Sequence, residues 1–209
     1  MNALDQLRRY LDECPLVAII RGVTPGDAEA IGHAVFDAGI RIIEVPLNSP
    51  DPLKSIEVLA AKFGNRALVG GGTVLKVGDV ANVRAAGGRL IVSPNTNTDV
   101  IAATASEGLV SMPGFFTPSE AFAAIHAGAT ALKLFPAEGA SPAMLKAQLA
   151  VIPREVPIFV VGGVSPDNMR PWKDAGVSGF GLGSGLYKPG QSAEETAKKA
   201  RAYVAGLKQ

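Results

Sequence analysis

A repeated pattern of strand-like and helix-like segments runs along almost the whole chain and limits the folds that it can adopt. Short runs of apolar and β-branched residues recur about every 25 residues, and each is followed by an alanine-rich stretch of helical periodicity. Strands that alternate with helices in this way predict βαβ units and a parallel sheet. The predicted strands are residues 16–20, 41–47, 67–70, 89–93, 109–112, 129–135, 158–161 and 179–182.

The boundaries of the predicted helices carry residue pairs with known preferences. A hydroxyl residue followed by proline suits an N-cap and the first helical turn. Alanine followed by glycine suits a helix that ends in a left-handed residue. The predicted starts are Thr24-Pro25, Ser49-Pro50, Thr117-Pro118, Ser141-Pro142 and Ser165-Pro166, and the predicted ends lie at Gly39, Gly87, Gly128 and Gly176.

Eight such units in a chain of 209 residues predict a closed (β/α)8 TIM barrel. The first dozen residues form an extra N-terminal helix in this interpretation, and residues 1–209 make a single barrel domain. An open, doubly wound α/β sheet is the alternative architecture. It is disfavoured because no G-x-G-x-x-G turn follows the first predicted strand, where a dinucleotide-binding sheet carries it.

The composition argues against several classes of protein. Hydrophobic residues make up 47% of the chain and the net charge is only +1, which predicts a large core rather than disorder. The 20 Lys and Arg residues are spread among 19 Asp and Glu residues, so no nucleic-acid partner is expected. Cys14 is the only cysteine, and the apolar run LVAII is too short to cross a membrane. A cytoplasmic protein without membrane association is the resulting expectation.

Polar and conformationally special residues collect where the predicted strands end. In a (β/α)8 barrel these carboxyl ends meet at one rim, which is where the active site lies. The residues concerned are Arg21, Glu44, Gly71–Thr73, Ser93–Asn95, Pro113-Gly114, Lys133, Gly162-Gly163 and Gly181–Gly185. The sequence therefore predicts a site at the carboxyl-terminal rim.

Lys133 and Glu44 are the most informative of these residues, because each is charged within an otherwise apolar strand. Burial lowers the pKa of a lysine, and a neutral amine can attack a ketone to form an imine. A nearby carboxylate would serve as the proton shuttle that this chemistry needs. Two structural alternatives remain at this point: a lysine that reaches from the barrel mouth to water, and a buried ion pair without a catalytic role.

Two glycine clusters suggest an anion site after the last two strands. Phosphates in such barrels often bind between these loops, where backbone N–H groups approach them closely. Gly162, Gly163, Gly183 and Ser184 are the candidates. Tight turns that need a positive φ are the alternative explanation.

No metal site is expected from the remaining residues. His33 and His126 lie in predicted helices away from the rim, and with one cysteine they do not form a zinc-like ligand cluster. Trp172 and Tyr187 are isolated aromatic residues and do not form a stacking surface.

Five segments, taken in order along the chain, resemble the class I KDPG/KHG aldolase family. They are VAIIRG from Val17, IEVPLNSP from Ile43, GGGTVL from Gly70, ALKLFP from Ala131 and VGGV from Val161. The resemblance covers nearly the whole chain and implies a homotrimeric (β/α)8 barrel that acts without a metal or other cofactor. It also implies that Lys133 forms the Schiff base, that Glu44 is the acid/base and that Thr73 contacts the pyruvate half. In the same way it assigns Gly162, Gly163, Gly183 and Ser184 to the phosphate.

One departure from the family pattern bears on the substrate. Members that act on the gluconate-derived acid carry an arginine soon after the catalytic glutamate and a threonine before the Gly-Gly pair. Asn48 and Val161 stand at these places here, and Arg21 on the first strand offers the cation instead. This pattern is similar to that of the members that act on the galactonate epimer. The resemblance thus implies cleavage of 2-dehydro-3-deoxy-6-phospho-D-galactonate to pyruvate and D-glyceraldehyde 3-phosphate, with Arg21 on the substrate carboxylate.

Three other functions remain open from the sequence. The chain could prefer the gluconate epimer, because one lost hydroxyl donor changes discrimination by only a few kcal/mol. It could be a phosphosugar isomerase or epimerase on the same barrel, with Lys133 in an electrostatic role. A sugar-phosphate-binding protein without activity is the least favoured, since a buried lysine and glutamate are costly without a purpose.

Overall fold

The structure is a computed structural model that describes residues 2–208 and consists of parallel strands surrounded by helices. The strands are β1 (Leu16–Ile19), β2 (Ile42–Pro46), β3 (Leu68–Gly72), β4 (Leu90–Val92), β5 (Val110–Met112), β6 (Gly114–Phe115), β7 (Leu132–Leu134), β8 (Ile158–Val161) and β9 (Gly179–Leu182). The helices are α1 (Ala3–Glu13), α2 (Pro25–Asp37), α3 (Pro52–Phe63), α4 (Val77–Ala85), α5 (Thr98–Ser106), α6 (Pro118–His126), α7 (Pro142–Leu149), α8 (Met169–Ala175) and α9 (Ala193–Gly206). Short 3-10 turns cover Gly64–Arg66, Ala137–Gly139 and Pro166–Asn168.

The strands form a closed ring, which confirms the predicted (β/α)8 barrel. Their order is β5-β4-β3-β2-β1-β9-β8-β7-β6, and every pairing is parallel. The fifth predicted strand continues beyond its expected end and is divided by Pro113 into β5 and β6. Backbone hydrogen bonds cross this break, from Ala131 N to Ser111 O at 3.0 Å and from Lys133 N to Pro113 O at 2.9 Å. Proline has no N–H to donate, so Pro113 interrupts the strand while its carbonyl still pairs.

The barrel interior is packed with apolar side chains at its amino-terminal end. Val17, Phe159 and other alternating residues of the strands form this inner cluster, as expected for side chains that point to one face of a strand. Leu7 and Tyr10 of α1 are fully buried in the same cluster, and the Tyr10 hydroxyl donates to Asn65 O at 2.9 Å. The predicted extra helix therefore exists, and it covers the amino-terminal end of the barrel.

Most of the predicted helix boundaries are confirmed. Gly39, Gly87, Gly128 and Gly176 all have positive φ angles at helix ends. The start predicted at Ser49-Pro50 is wrong, because α3 begins at Pro52 after Asp51. The Ser49 hydroxyl instead accepts a hydrogen bond from Gly22 N at 2.9 Å, so it joins the loops after β1 and β2. A tertiary contact has taken the hydroxyl that would otherwise cap the helix.

Within residues 2–208, every helix is too short or too polar to cross a lipid bilayer.

Candidate active site

A cavity of about 520 Å³ opens at the carboxyl-terminal rim of the barrel. Eight of the nine residues singled out from the sequence line it: Arg21, Thr73, Lys133, Val161, Gly162, Gly163, Gly183 and Ser184. The ninth, Glu44, is 2% exposed and lies in the barrel interior. The structure thus brings the nine predicted residues together from six strands and the loops that follow them.

Lys133 points into the cavity from the middle of β7 and is only 6% exposed. Its Nζ lies 4.7 Å from the centroid of the Phe135 ring, a cation–π contact. No side chain or backbone group within residues 2–208 forms an ion pair or hydrogen bond with this amine. Burial lowers the Lys133 pKa; the Glu44 carboxylate opposes this and the Arg21 guanidinium adds to it. The result is an amine that loses its proton more readily than a lysine in water.

Glu44 lies in the middle of β2, and its Oε2 atom is buried without a hydrogen-bond partner. Burial raises the Glu44 pKa, while the charges of Lys133 and Arg21 oppose the rise. The two residues affect each other's pKa but do not form a direct ion pair, so the simple ion-pair alternative is not what the geometry shows. A proton can therefore pass between them only through water or through a bound substrate.

Gly72 makes room for the Glu44 carboxylate. It is the last residue of β3 and pairs with Pro46 at the end of β2. A Cβ atom built on Gly72 would overlap Glu44 Oε2. Gly72 therefore has a packing role, since an inward-facing residue without a side chain leaves space for a buried carboxyl group.

Gly72→Ala is expected to displace Glu44, to lower kcat and to destabilise the fold by about 1–3 kcal/mol, the usual cost of overpacking. Gly78→Ala is a matched control, because a Cβ there meets no atom within 4 Å. Activity assays and urea unfolding of both variants check this. A Gly72→Ala enzyme with the wild-type kcat would mean that the position of Glu44 is not critical.

Arg21 and Thr73 form a polar group at the mouth of the cavity. Arg21 Nη2 donates to Thr73 Oγ1 at 3.3 Å, and Arg21 Nη1 donates to Asn48 Oδ1. Thr73 has a φ of 54°, a left-handed conformation that is rare for a β-branched residue and is typical of functional sites. Asn48 thus orients Arg21. A guanidinium held in this way can bind a carboxylate through two hydrogen bonds.

The loops after β8 and β9 also line the cavity, and side-chain hydrogen bonds hold the loop after β8. Gly162 and Gly163 have φ angles of 113° and 62°, which other residues rarely adopt. Asn168 Nδ2 donates to Gly163 O at 2.8 Å, and Asn168 Oδ1 accepts from Ser165 N at 2.9 Å. The Tyr203 hydroxyl donates to Val164 O at 2.8 Å. These bonds fix a backbone loop that suits an anion.

Sequence reasoning missed several residues of the cavity. Phe135 supports Lys133, while Glu138 and Lys188 add charges of opposite sign to the wall. Tyr187, interpreted as an isolated aromatic residue, also lines the cavity. All four lie at or after the carboxyl end of a strand, so the rule that located the other residues could have found them. Their residue types alone did not indicate a chemical role, so the sequence did not mark them as site residues.

The pKa of Lys133 is expected to respond in opposite directions to two substitutions. In the wild type it lies below 10.5, the value for lysine in water. Glu44→Gln removes a carboxylate that stabilises the ammonium, so the pKa falls further. Arg21→Gln removes a cation that destabilises the ammonium, so the pKa rises. The rate of Lys133 acetylation by acetic anhydride, measured against pH by peptide mass spectrometry, tests both shifts without relying on activity. Shifts of the same sign in both variants would contradict the electrostatic description.

The fold and the cavity together define a (β/α)8 barrel with a buried amine in a rim cavity that is lined by glycine-rich loops. The family model described as KDPG and KHG aldolase matches residues 7–199. The 2-dehydro-3-deoxy-6-phosphogalactonate aldolase of Escherichia coli K12 is 46% identical over 94% of this chain and 96% of its own length. A solved structure described as native KDPGal has a TM-score of 0.92 at 46% identity and covers 94% of this chain and 95% of its own.

A second similar solved structure is more distant in sequence. KDPG aldolase from Legionella pneumophila, with pyruvate captured as a covalent carbinolamine, has a TM-score of 0.82 at 28% identity. It covers 93% of this chain and 96% of its own. The chain described here belongs to the KDPG and KHG aldolase family and is an aldolase.

Proposed function

We propose that this protein is a class I aldolase that cleaves 2-dehydro-3-deoxy-6-phospho-D-galactonate to pyruvate and D-glyceraldehyde 3-phosphate through a Schiff base on Lys133. The observation that carries the proposal is a buried amine of lowered pKa inside a cavity that is also lined by a guanidinium and by two glycine loops. A substrate with a carboxylate at one end and a phosphate at the other fits this arrangement. Similarity to a named galactonate-series aldolase supports the same substrate.

Binding places the ketone next to the amine in this mechanism. Arg21 and Thr73 hold the carboxylate, while Gly162, Gly163, Gly183 and Ser184 bind the 6-phosphate through backbone N–H groups and a hydroxyl. The reacting carbon then lies next to Lys133. Positioning both ends of the substrate contributes to catalysis because the attack becomes intramolecular.

The chemistry then passes through an imine. Neutral Lys133 attacks the C2 ketone, and Glu44 relays protons through water until water leaves and the protonated imine forms. The C4 hydroxyl gives its proton to the same relay. The C3–C4 bond breaks, its electron pair moves into the imine to form an enamine, and D-glyceraldehyde 3-phosphate departs. Protonation of C3 and hydrolysis release pyruvate and restore the amine.

Reduction by borohydride in the presence of pyruvate tests the Schiff base directly. The reduced adduct is expected on the tryptic peptide that contains Lys133, identified by mass spectrometry. Absence of the adduct, together with isomerisation of a pentose phosphate, would favour an isomerase or epimerase instead.

The preference for the galactonate epimer is expected to depend on Val161, which lines the cavity and is 6% exposed. Val161→Thr keeps the shape and adds a hydroxyl that can reach the C4 hydroxyl of the gluconate epimer. The ratio of kcat/KM for the gluconate over the galactonate epimer should rise about 10-fold. Assays on both epimers with the wild type and with Val161→Ile, a control without the hydroxyl, measure this. A wild type that prefers the gluconate epimer would overturn the substrate assignment.

Assembly as a homotrimer, a cytoplasmic location and a single domain over residues 1–209 stay predictions.

A further inference from the structure

Glu138 is a carboxylate in the cavity wall that has no part in the mechanism above. It lies in the 3-10 turn Ala137–Gly139, which follows β7 and therefore the strand of Lys133. Within residues 2–208, no cation or hydrogen-bond donor contacts its carboxylate. Glu138 is exposed, so water can solvate its carboxylate in the free protein. In a cavity that binds both a carboxylate and a phosphate, its negative charge costs affinity through repulsion unless the substrate donates a hydrogen bond to it.

The side chain of Glu138 lies flat against the two glycines of the β8 loop. A Cβ on Gly162 would overlap Glu138 Oε2, and a Cβ on Gly163 would lie 2.9 Å from Glu138 Cγ. Both glycines therefore provide the space that the glutamate occupies. The carboxylate lies next to the loop assigned to the phosphate. It reaches this loop from the turn that follows β7, the strand of Lys133.

We propose that Glu138 accepts a hydrogen bond from the C5 hydroxyl of the substrate, the hydroxyl on the carbon next to the phosphate-bearing carbon. This inference rests on the proposed function. With C2 bonded to Lys133 and the 6-phosphate against Gly162 and Gly163, C5 is the hydroxyl-bearing carbon nearest to the phosphate. A hydroxyl–carboxylate hydrogen bond is stronger than a neutral one, so it offsets the repulsion. Glu138 then favours substrates whose aldehyde half carries this hydroxyl over those that lack it.

The synthetic direction provides a test that isolates this hydroxyl. Pyruvate is condensed either with D-glyceraldehyde 3-phosphate or with 3-oxopropyl phosphate, which has the same chain and phosphate but lacks the hydroxyl. Glu138→Ala is expected to lower kcat/KM about 10- to 100-fold for the first acceptor and less than about 3-fold for the second. Glu138→Gln retains an acceptor oxygen without the charge, so its loss on the first acceptor should be intermediate.

Ser184→Ala is the matched control, because it removes a donor to the phosphate that both acceptors share. Its loss should be the same for the two acceptors. Exchange of the pyruvate methyl protons with deuterium does not require an aldehyde, so Glu138→Ala should exchange at the wild-type rate. Equal losses on the two acceptors in Glu138→Ala, or slowed exchange, would overturn the role of Glu138. A wild type that neither exchanges these protons nor forms the borohydride adduct would instead overturn the proposed function.

Discussion

Lys133→Ala is expected to lose the borohydride-reducible pyruvate adduct completely and to lower kcat/KM by at least about 10⁴-fold. The amine is the only group of the side chain that can form the imine. Enzymes that lose their nucleophile retain only the part of the rate acceleration that substrate binding and charge stabilisation provide. Lys133→Met keeps most of the side-chain volume in the barrel interior. The same loss in this variant separates the missing amine from any cavity in the core. Adduct mass and steady-state kinetics on the proposed substrate give the two readouts.

Lys188→Ala is the matched control for this experiment, because Lys188 lines the same cavity from the loop after β9. If Lys133 is the nucleophile, the Lys188→Ala variant keeps the adduct on the Lys133 peptide. An adduct that persists in Lys133→Ala, or that moves to another lysine in the wild type, would remove Lys133 from its assigned role.

Glu44→Gln is expected to lower kcat about 10²- to 10⁴-fold, the range over which a positioned acid/base contributes. The amide fills the same space beside Gly72 but cannot carry a proton through the steps of imine formation. KM should change little, because Glu44 lies in the interior rather than at either end of the cavity. Measured kcat and KM values, with the far-ultraviolet circular dichroism spectrum as a check of the fold, test this. Near-normal kcat would contradict the proton-relay role.

The stability of Glu44→Gln should differ from the wild type with a defined dependence on pH. Burial raises the pKa of Glu44 in the folded protein above that of the unfolded chain. The unfolded chain therefore releases this proton first as pH rises, and the free energy of unfolding falls between the unfolded and the folded pKa. Glutamine has no such ionisation, so the variant should lack this fall in the free energy of unfolding as pH rises. Urea unfolding between pH 4 and 8 measures the difference.

The repeated pattern of apolar runs predicted the barrel because each strand and helix must bury its own apolar face. Each of the eight predicted strands has a counterpart in the structure. The short strand β6 after the fifth was not predicted, because the sequence could not show that the chain stays in the ring past Pro113, which cannot donate but still pairs through its carbonyl. Ser49 was misinterpreted as a helix cap for a related reason, since its partner, Gly22, is remote in the sequence.

The candidate site could be predicted as a set of residue types but not as an arrangement. Lys133 and Glu44 were recognisable because a charge in an apolar strand is costly, a property of the strand itself. That they shift each other's pKa without a direct ion pair depends on distances across the barrel. The same holds for Asn48, which the sequence marked only as a departure from a pattern and which the fold places on Arg21.

The sequence by itself determined the barrel, the rim at which its unusual residues meet and the identity of the buried amine, because these follow from local periodicity and from the cost of burying charge. The tertiary structure alone decided that Gly72 makes room for Glu44, that Asn48 orients Arg21 and that Glu138 lies against Gly162. Each of these contacts joins segments of different strands or loops, and their packing is fixed only when the ring closes.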